Sequence, residues 1–156
     1  MLIFIGKGWF CMEQHKGDMG TRKDLCFYRI QTAKENLKSA KILLAAEEYK
    51  SANNRAYYAV FHAINAVHAL YGNAYKRHKD VIGNFNKDFV KTEIFPREIG
   101  RKIGEAEEIR HASDYDDFYI ASREESERQV AVADEFVQQV ESYCREHGEL
   151  ADGAAP

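Results

Sequence analysis

The sequence predicts an all-α protein, an antiparallel up-and-down bundle of four to five helices. Three observations carry that expectation. Apolar residues recur at steps of three and four in one segment after another, the period of a helix face. No run alternates polar and apolar residues like a half-buried strand. Glycine, proline and capping patterns mark where the periodic segments begin or end.

The first helix is predicted from a capping box at Thr21 to Asp24, followed by Cys26, Ile30, Ala33, Leu37, Ala40 and Leu44 on one face. The second is expected from about Ser51 to Tyr71, stopped by Gly72, since glycine is favoured just past a helix end. A third, near Lys79 to Val90, aligns Val81, Phe85 and Phe89. A fourth is expected to open with Pro96 as its first helical residue and to bury Ile99, Ile103 and Ala106. A second capping box, Ser122 to Glu125, begins a last long helix with Val130, Ala133, Val137, Val140 and Cys144 on one stripe.

With 156 residues the chain has room for one core. A hydrophobic content of 45% against 30% charged residues is too apolar for disorder, and no stretch is long enough to span a membrane. Cys11, Cys26 and Cys144 are odd in number and lack a Cys-x-x-Cys spacing. They read as packing residues in a reducing, cytoplasmic compartment rather than as a disulfide framework or a zinc site. His62, His68, His78 and His111 show no ligand spacing with Asp, Glu or Cys, so no metal or cofactor is expected. His68 reads as a surface or cap residue, and His111 as sitting at the C-terminus of the fourth helix, where a cation is favoured.

The organisation expected is an extension or tail over 1–20, a helical domain over 21–147, and a tail of small residues over 148–156. Leu2 to Ile5 is too short for a secretory apolar region and has no basic segment before it. The first residues are equally readable as a native extension or as sequence preceding a start at Met12 or Met19.

The most informative stretch runs from Ser51 to Asn65. Arg55 and His62 lie seven residues apart on an alanine-rich helix. That step leaves them within roughly 20° of one face and about 10 Å apart along the axis. Ser51, Asn54, Tyr58 and Asn65 fall beside them, forming a narrow polar stripe among positions suited to burial. One explanation is structural: Tyr58, His62 and Asn65 satisfy one another inside the bundle, and Arg55 reaches a carboxylate on a neighbouring helix. The other is chemical. A histidine titrates near neutral pH, and a guanidinium forks onto two phosphate oxygens.

The run Asn53 to Ala63 resembles the core signature of HEPN domains, in which Arg and His are separated by four to six residues, here six. The segments Tyr28 to Leu44 and Glu48 to Ala52 are similar to the first helix and following turn of small prokaryotic HEPN proteins. Gly72, His78, Phe85, Phe89 to Lys91, Arg110 to Tyr115 and Glu124-Glu125 extend the resemblance over roughly Asp24 to Arg145. The chain departs from the pattern at Ala56, where many members carry Asn, Asp or His. It departs again at Ile64, where some toxins of the family carry a tyrosine that is adenylylated.

This resemblance implies a homodimer in which two copies of the second helix cross, bringing Arg55 and His62 of both chains to one cleft. It also implies a ribonuclease chemistry for those two residues. Asn54 and Tyr58 would orient the phosphate or the imidazole, and Asn65 would hold the tautomer of His62. Two functions from different classes follow. The first is a metal-independent endoribonuclease, the toxin of a pair whose antitoxin is a minimal nucleotidyltransferase. The second is a non-catalytic nucleotide- or substrate-binding subunit of such a nucleotidyltransferase.

Charge is unevenly spread, although the whole chain carries only -3. Residues 73–102 hold eight Lys/Arg against four Asp/Glu, and residues 105–149 hold four against fourteen. Lys76, Arg77 and Lys79 beside Tyr75 are suited to contact RNA or a nucleotide, or are simply solvated loop residues. Arg110 and Tyr115 are placed either to line the cleft or to clasp two helices. The acidic C-terminal part offers a solvated face or a dock for a basic partner.

Overall fold

A computed structural model describes residues 18–153, with side chains described from Arg22 to Gly148. Five helices follow one another: α1 (Asp18–Ala45), α2 (Tyr49–Leu70), α3 (His78–Phe85), α4 (Arg97–Tyr115) and α5 (Arg123–Gly153). No strand occurs among the described residues. The expected all-α bundle is therefore the architecture observed.

Helix α2 is the central element, packed against α1, α3, α4 and α5. Its alanines explain why it can be. Ala52, Ala56, Ala59, Ala63 and Ala66 are all buried, and a side chain of one methyl lets neighbouring helices approach from several directions. Larger residues on α2, among them Tyr57, Ile64 and Val67, fill the remaining space. Helix α1 contributes Cys26, Ile30, Ala33, Leu37 and Ala40, the stripe expected from the sequence. Helix α5 contributes Val130, Ala133, Phe136, Val137, Val140 and Cys144. Both described cysteines are free and buried, facing each other between α1 and α5, while Cys11 lies outside the described residues.

Several element boundaries differ from expectation. Helix α1 is already formed at Asp18, so Thr21 is a residue within a helix rather than its cap. Gly20 does not stop it, because a glycine in a helix costs only about 1 kcal/mol. Pro96 is the N-cap of α4, one position earlier than expected, with extended backbone at ψ 144°. The third helix ends at Phe85, and a π-helical turn, Asn86–Val90, completes the segment. Helix α5 runs on through Gly148 to Gly153. The Ser122 cap is made as expected, its Oγ accepting from Glu125 N at 3.1 Å. The Glu125 carboxylate instead accepts from the Tyr119 hydroxyl, leaving the box half closed. Gly72 adopts φ +74°, the left-handed conformation that closes α2.

His68 requires a correction. It is fully buried, not a surface or cap residue. Six residues beyond His62, it points to a different side of α2, where α3 packs. Its Nε2 lies 2.9 Å from the Val81 carbonyl oxygen. Tyr75, Phe85 and Phe89 surround the ring edge to face. A ring this size fills the space between α2 and α3 while its one donor satisfies a backbone carbonyl.

Candidate functional site

The polar face of α2 looks toward α1, the start of α3 and the end of α4. Arg55 is exposed, and its Nη1 donates to the Asn36 side-chain oxygen of α1 at 3.1 Å. Its guanidinium also lies 5.6 Å from the Tyr58 ring centroid. The carboxylate partner considered for it is replaced by that neutral amide. One turn and more along the helix, His62 is half-buried, and its Nδ1 is buried with no hydrogen-bond partner among the described residues. Burial lowers the His62 pKa, and the Arg29 and Arg55 charges, with His78 where it is protonated, lower it further. The ring is therefore neutral at pH 7, with a vacant acceptor or donor and cations close by.

The mutual satisfaction considered for this stripe is not made. Tyr58 lies 6.4 Å from His62 between ring centroids, tilted rather than hydrogen-bonded. Its hydroxyl accepts from Arg110 Nη2 at 3.4 Å. Asn54 donates to Asp114 at 3.2 Å, tying α2 to the end of α4. Asn65 is half-buried and forms no side-chain hydrogen bond among the described residues, so it does not fix the His62 tautomer in this state.

Arg110 joins the cluster from α4. Its guanidinium lies 5.2 Å from the Tyr57 centroid and 5.6 Å from that of Tyr58, with Asp114 at 3.6 Å. Tyr115 does not join: it is 70% exposed, its ring centroid 4.8 Å from that of His111. His111 lies a turn inside α4 and not at its C-terminus as expected, because the helix runs on to Tyr115. In the basic loop, Arg77 is paired with Asp80 at 2.8 Å, while Lys76 and Lys79 are both exposed. Among the described residues no group of three or more His, Cys, Asp or Glu gathers as a metal site.

Two members of the cluster were not singled out by sequence reasoning. Tyr57 is buried, and its hydroxyl lies 3.1 Å from His78 Nδ1. His78, the first residue of α3, stacks on Phe61 at 4.0 Å between centroids. Nothing in the spacing of Tyr57 and His78, 21 residues apart, signals this contact; it arises because α3 folds back along α2. The family resemblance at His78 was the one available hint.

The HEPN domain model matches residues 28–143 of the chain. This protein belongs to the HEPN domain family. A UPF0332 protein of Thermotoga maritima is 31% identical over 123 residues, spanning 79% of this chain and 93% of the relative. A candidate toxin of Methanocaldococcus jannaschii is 33% identical over 117 residues, 75% of this chain and 87% of that protein. A second candidate toxin of the same organism is 32% identical over 98 residues, 63% of this chain and 67% of that protein. The crystal structure of TT1696 from Thermus thermophilus superimposes with a TM-score of 0.63 at 20% identity, covering 75% of this HEPN domain chain and 96% of the other. That likeness concerns the fold. Among the described residues of the HEPN protein, no helix is long and apolar enough to cross a membrane.

Proposed function

We propose that this HEPN protein is a metal-independent endoribonuclease, the toxin of a toxin–antitoxin pair, working as a homodimer and restrained by a minimal nucleotidyltransferase. The observation that carries the reading is the state of Arg55 and His62. They share one face of α2, the guanidinium is bound by an amide rather than a carboxylate, and the imidazole has a buried nitrogen without a partner among the described residues. His68 also leaves its Nδ1 without a partner, but in the closed core, whereas the unpartnered nitrogen of His62 lies on the half-buried polar face it shares with the exposed Arg55.

The chemistry follows from those two groups. His62, neutral, takes the proton from a ribose 2′-hydroxyl as the 2′-oxygen bonds to phosphorus. Arg55 steadies the charge on the phosphorane oxygens, and the bond from phosphorus to the 5′-oxygen breaks. The leaving oxygen takes a proton from an acid. In a dimer with crossing α2 helices, His62 of the second copy supplies it from its protonated form, which the lowered pKa makes a stronger acid. The products are a 2′,3′-cyclic phosphate and a free 5′-hydroxyl. Asn54, Tyr58 and Arg110 form the wall against which the phosphate and ring are oriented. Lys76 and Lys79 extend the positive surface for the RNA backbone, and Asn65 is placed to engage the ring once substrate is bound.

The test is cleavage of RNA in excess EDTA with analysis of the new ends. His62→Ala and Arg55→Ala should each reduce cutting by at least about 100-fold, the usual scale of a lost acid-base or charge-stabilising group. Both should keep their helical circular dichroism. Activity that survives either substitution, or that appears only with added magnesium, removes the assignment. A chain that binds nucleotides but cuts nothing would instead be a binding subunit of the nucleotidyltransferase.

A further inference from the structure

Beside the Arg55 and His62 face lies a cleft of about 440 Å³, lined by Tyr57 of α2, His78 of α3, and Glu107, Glu108, Arg110 and His111 of α4 among others. Neither Arg55 nor His62 lines it. Its charge differs from that of the polar stripe. Arg110 is already engaged by two aromatic rings and Asp114, whereas Glu107 and Glu108 enter no ion pair among the described residues. Asp116 adds a further carboxylate at the edge. Carboxylates without partners repel a phosphate and accept hydrogen bonds from neutral N–H groups. The cleft is thus poorly suited to an anion, and the rings of Tyr57, His78 and His111 at its margin, with donors and acceptors between them, suit a flat, uncharged ligand.

The opposite wall carries a donor. The Tyr57 phenol is buried, and that burial, reinforced by Glu107, raises its pKa to about 12. It keeps its proton at neutral pH, and its side-chain partner among the described residues is His78 Nδ1 at 3.1 Å, so the arrangement tested below takes the phenol as donor. Burial and the Arg110 charge lower the His78 pKa, so the ring is neutral. With Nδ1 committed as an acceptor, its own proton sits on Nε2. Stacking on Phe61 at 4.0 Å fixes the ring plane. In that arrangement Tyr57 is a positioning residue, setting which nitrogen of His78 offers a hydrogen.

We propose that this cleft is a nucleoside subsite, taking the uncharged base adjacent to the phosphate held at Arg55 and His62, with His78 Nε2–H donating and the Glu107 carboxylate accepting. The proposal rests on the ribonuclease reading for its phosphate but is tested by binding alone. The pairing of one donor and one acceptor is what base edges require, and phosphate is left to the cationic stripe.

The experiment uses the full chain with ¹⁵N-labelled histidine and long-range proton–nitrogen spectra. In the free protein His78 should show the Nε2–H tautomer, and Tyr57→Phe should mix the two tautomers. Adenosine, cytidine, guanosine and uridine are then added separately at millimolar concentration, and inorganic phosphate in a parallel titration. At least one nucleoside should shift the His78 nitrogens while leaving His62 in place, and phosphate should do the reverse. Glu107→Gln should weaken the nucleoside response about tenfold without changing the fold.

The subsite is wrong if no nucleoside moves His78, if phosphate moves it as strongly, or if Glu107→Gln binds as tightly as the wild type. Nucleoside binding in a protein that cleaves no RNA would overturn the ribonuclease reading and support the subsite. RNA cleavage with no response at His78 would overturn the subsite alone.

Discussion

Burial and the Arg29 and Arg55 charges, joined by His78 only where that ring is itself protonated, hold His62 below the ordinary imidazole range, so that at neutral pH it is poised to accept a proton. This has a measurable consequence for activity. With one His62 as base and that of the second copy as acid, the rate rises with pH as the base loses its proton and falls again as the acid loses its own. The acid limb of the RNA-cleavage profile should fall below pH 6.5, the value of an unperturbed histidine. Replacing Arg29 by Gln removes a nearby positive charge that disfavours protonation, so that limb should move upward in pH while the fold is kept. A limb at or above the unperturbed value in the wild type would mean that His62 is not the base. The same residue scale explains Tyr58: it contributes an aromatic wall for Arg55 and an acceptor for Arg110, which its place in the stripe did not reveal.

Among the elements, α3 is short, and its position depends on large side chains rather than on its own helical stability. An isolated helix of eight residues is marginal in water. Phe85 anchors it, fully buried against Phe89, Phe95 and Phe136, and in edge contact with His68. Because His78 opens the same helix, the anchor also places the wall of the cleft. Phe85→Ala should cost about 3–5 kcal/mol, the range for deleting a buried phenyl ring. Phe118, 91% exposed in the connection between α4 and α5, is the control: its alanine variant should stay within about 0.5 kcal/mol of the wild type. Urea unfolding of both variants decides, and equal losses would contradict the packing described for α3.

For the whole molecule, three histidines are held below the ordinary range, His62, His68 and His78, each chiefly by burial. The unfolded chain protonates all three near pH 6.5, whereas the folded chain resists until lower pH. Stability is thus fully present above about pH 6.5 and declines as the pH falls through the folded values. Asp134, held low chiefly by its hydrogen bond from Lys41, adds a loss in the same direction at more acidic pH. The melting temperature should therefore be lower at pH 5 than at pH 7.5. A protein that melts higher at pH 5 would show that these rings are not protonation-resistant. His68 is the structural member of the set, and its carbon-bound proton should titrate below the unperturbed value in NMR.

The helices, their order and most of their buried faces follow from sequence because local periodicity and burial are the same physical fact: Cys26, Ile30, Ala33, Leu37 and Ala40 share a face in any straight helix. The polar stripe of Arg55 and His62 was legible for the same reason, and the HEPN signature singled it out. Helix ends were less so, because Gly20 and Gly148 are tolerated inside helices when neighbouring turns hold. What only the tertiary structure decided is how residues far apart in the chain meet. His68 looked exposed from its spacing, yet the side of α2 it occupies is the side α3 covers. Tyr57 and His78, Arg55 and Asn36, and Asn54 and Asp114 pair across helices, where no periodicity within a single helix specifies the partner. Local sequence sets which face of a helix is polar, and the packing of five helices together sets what that face touches.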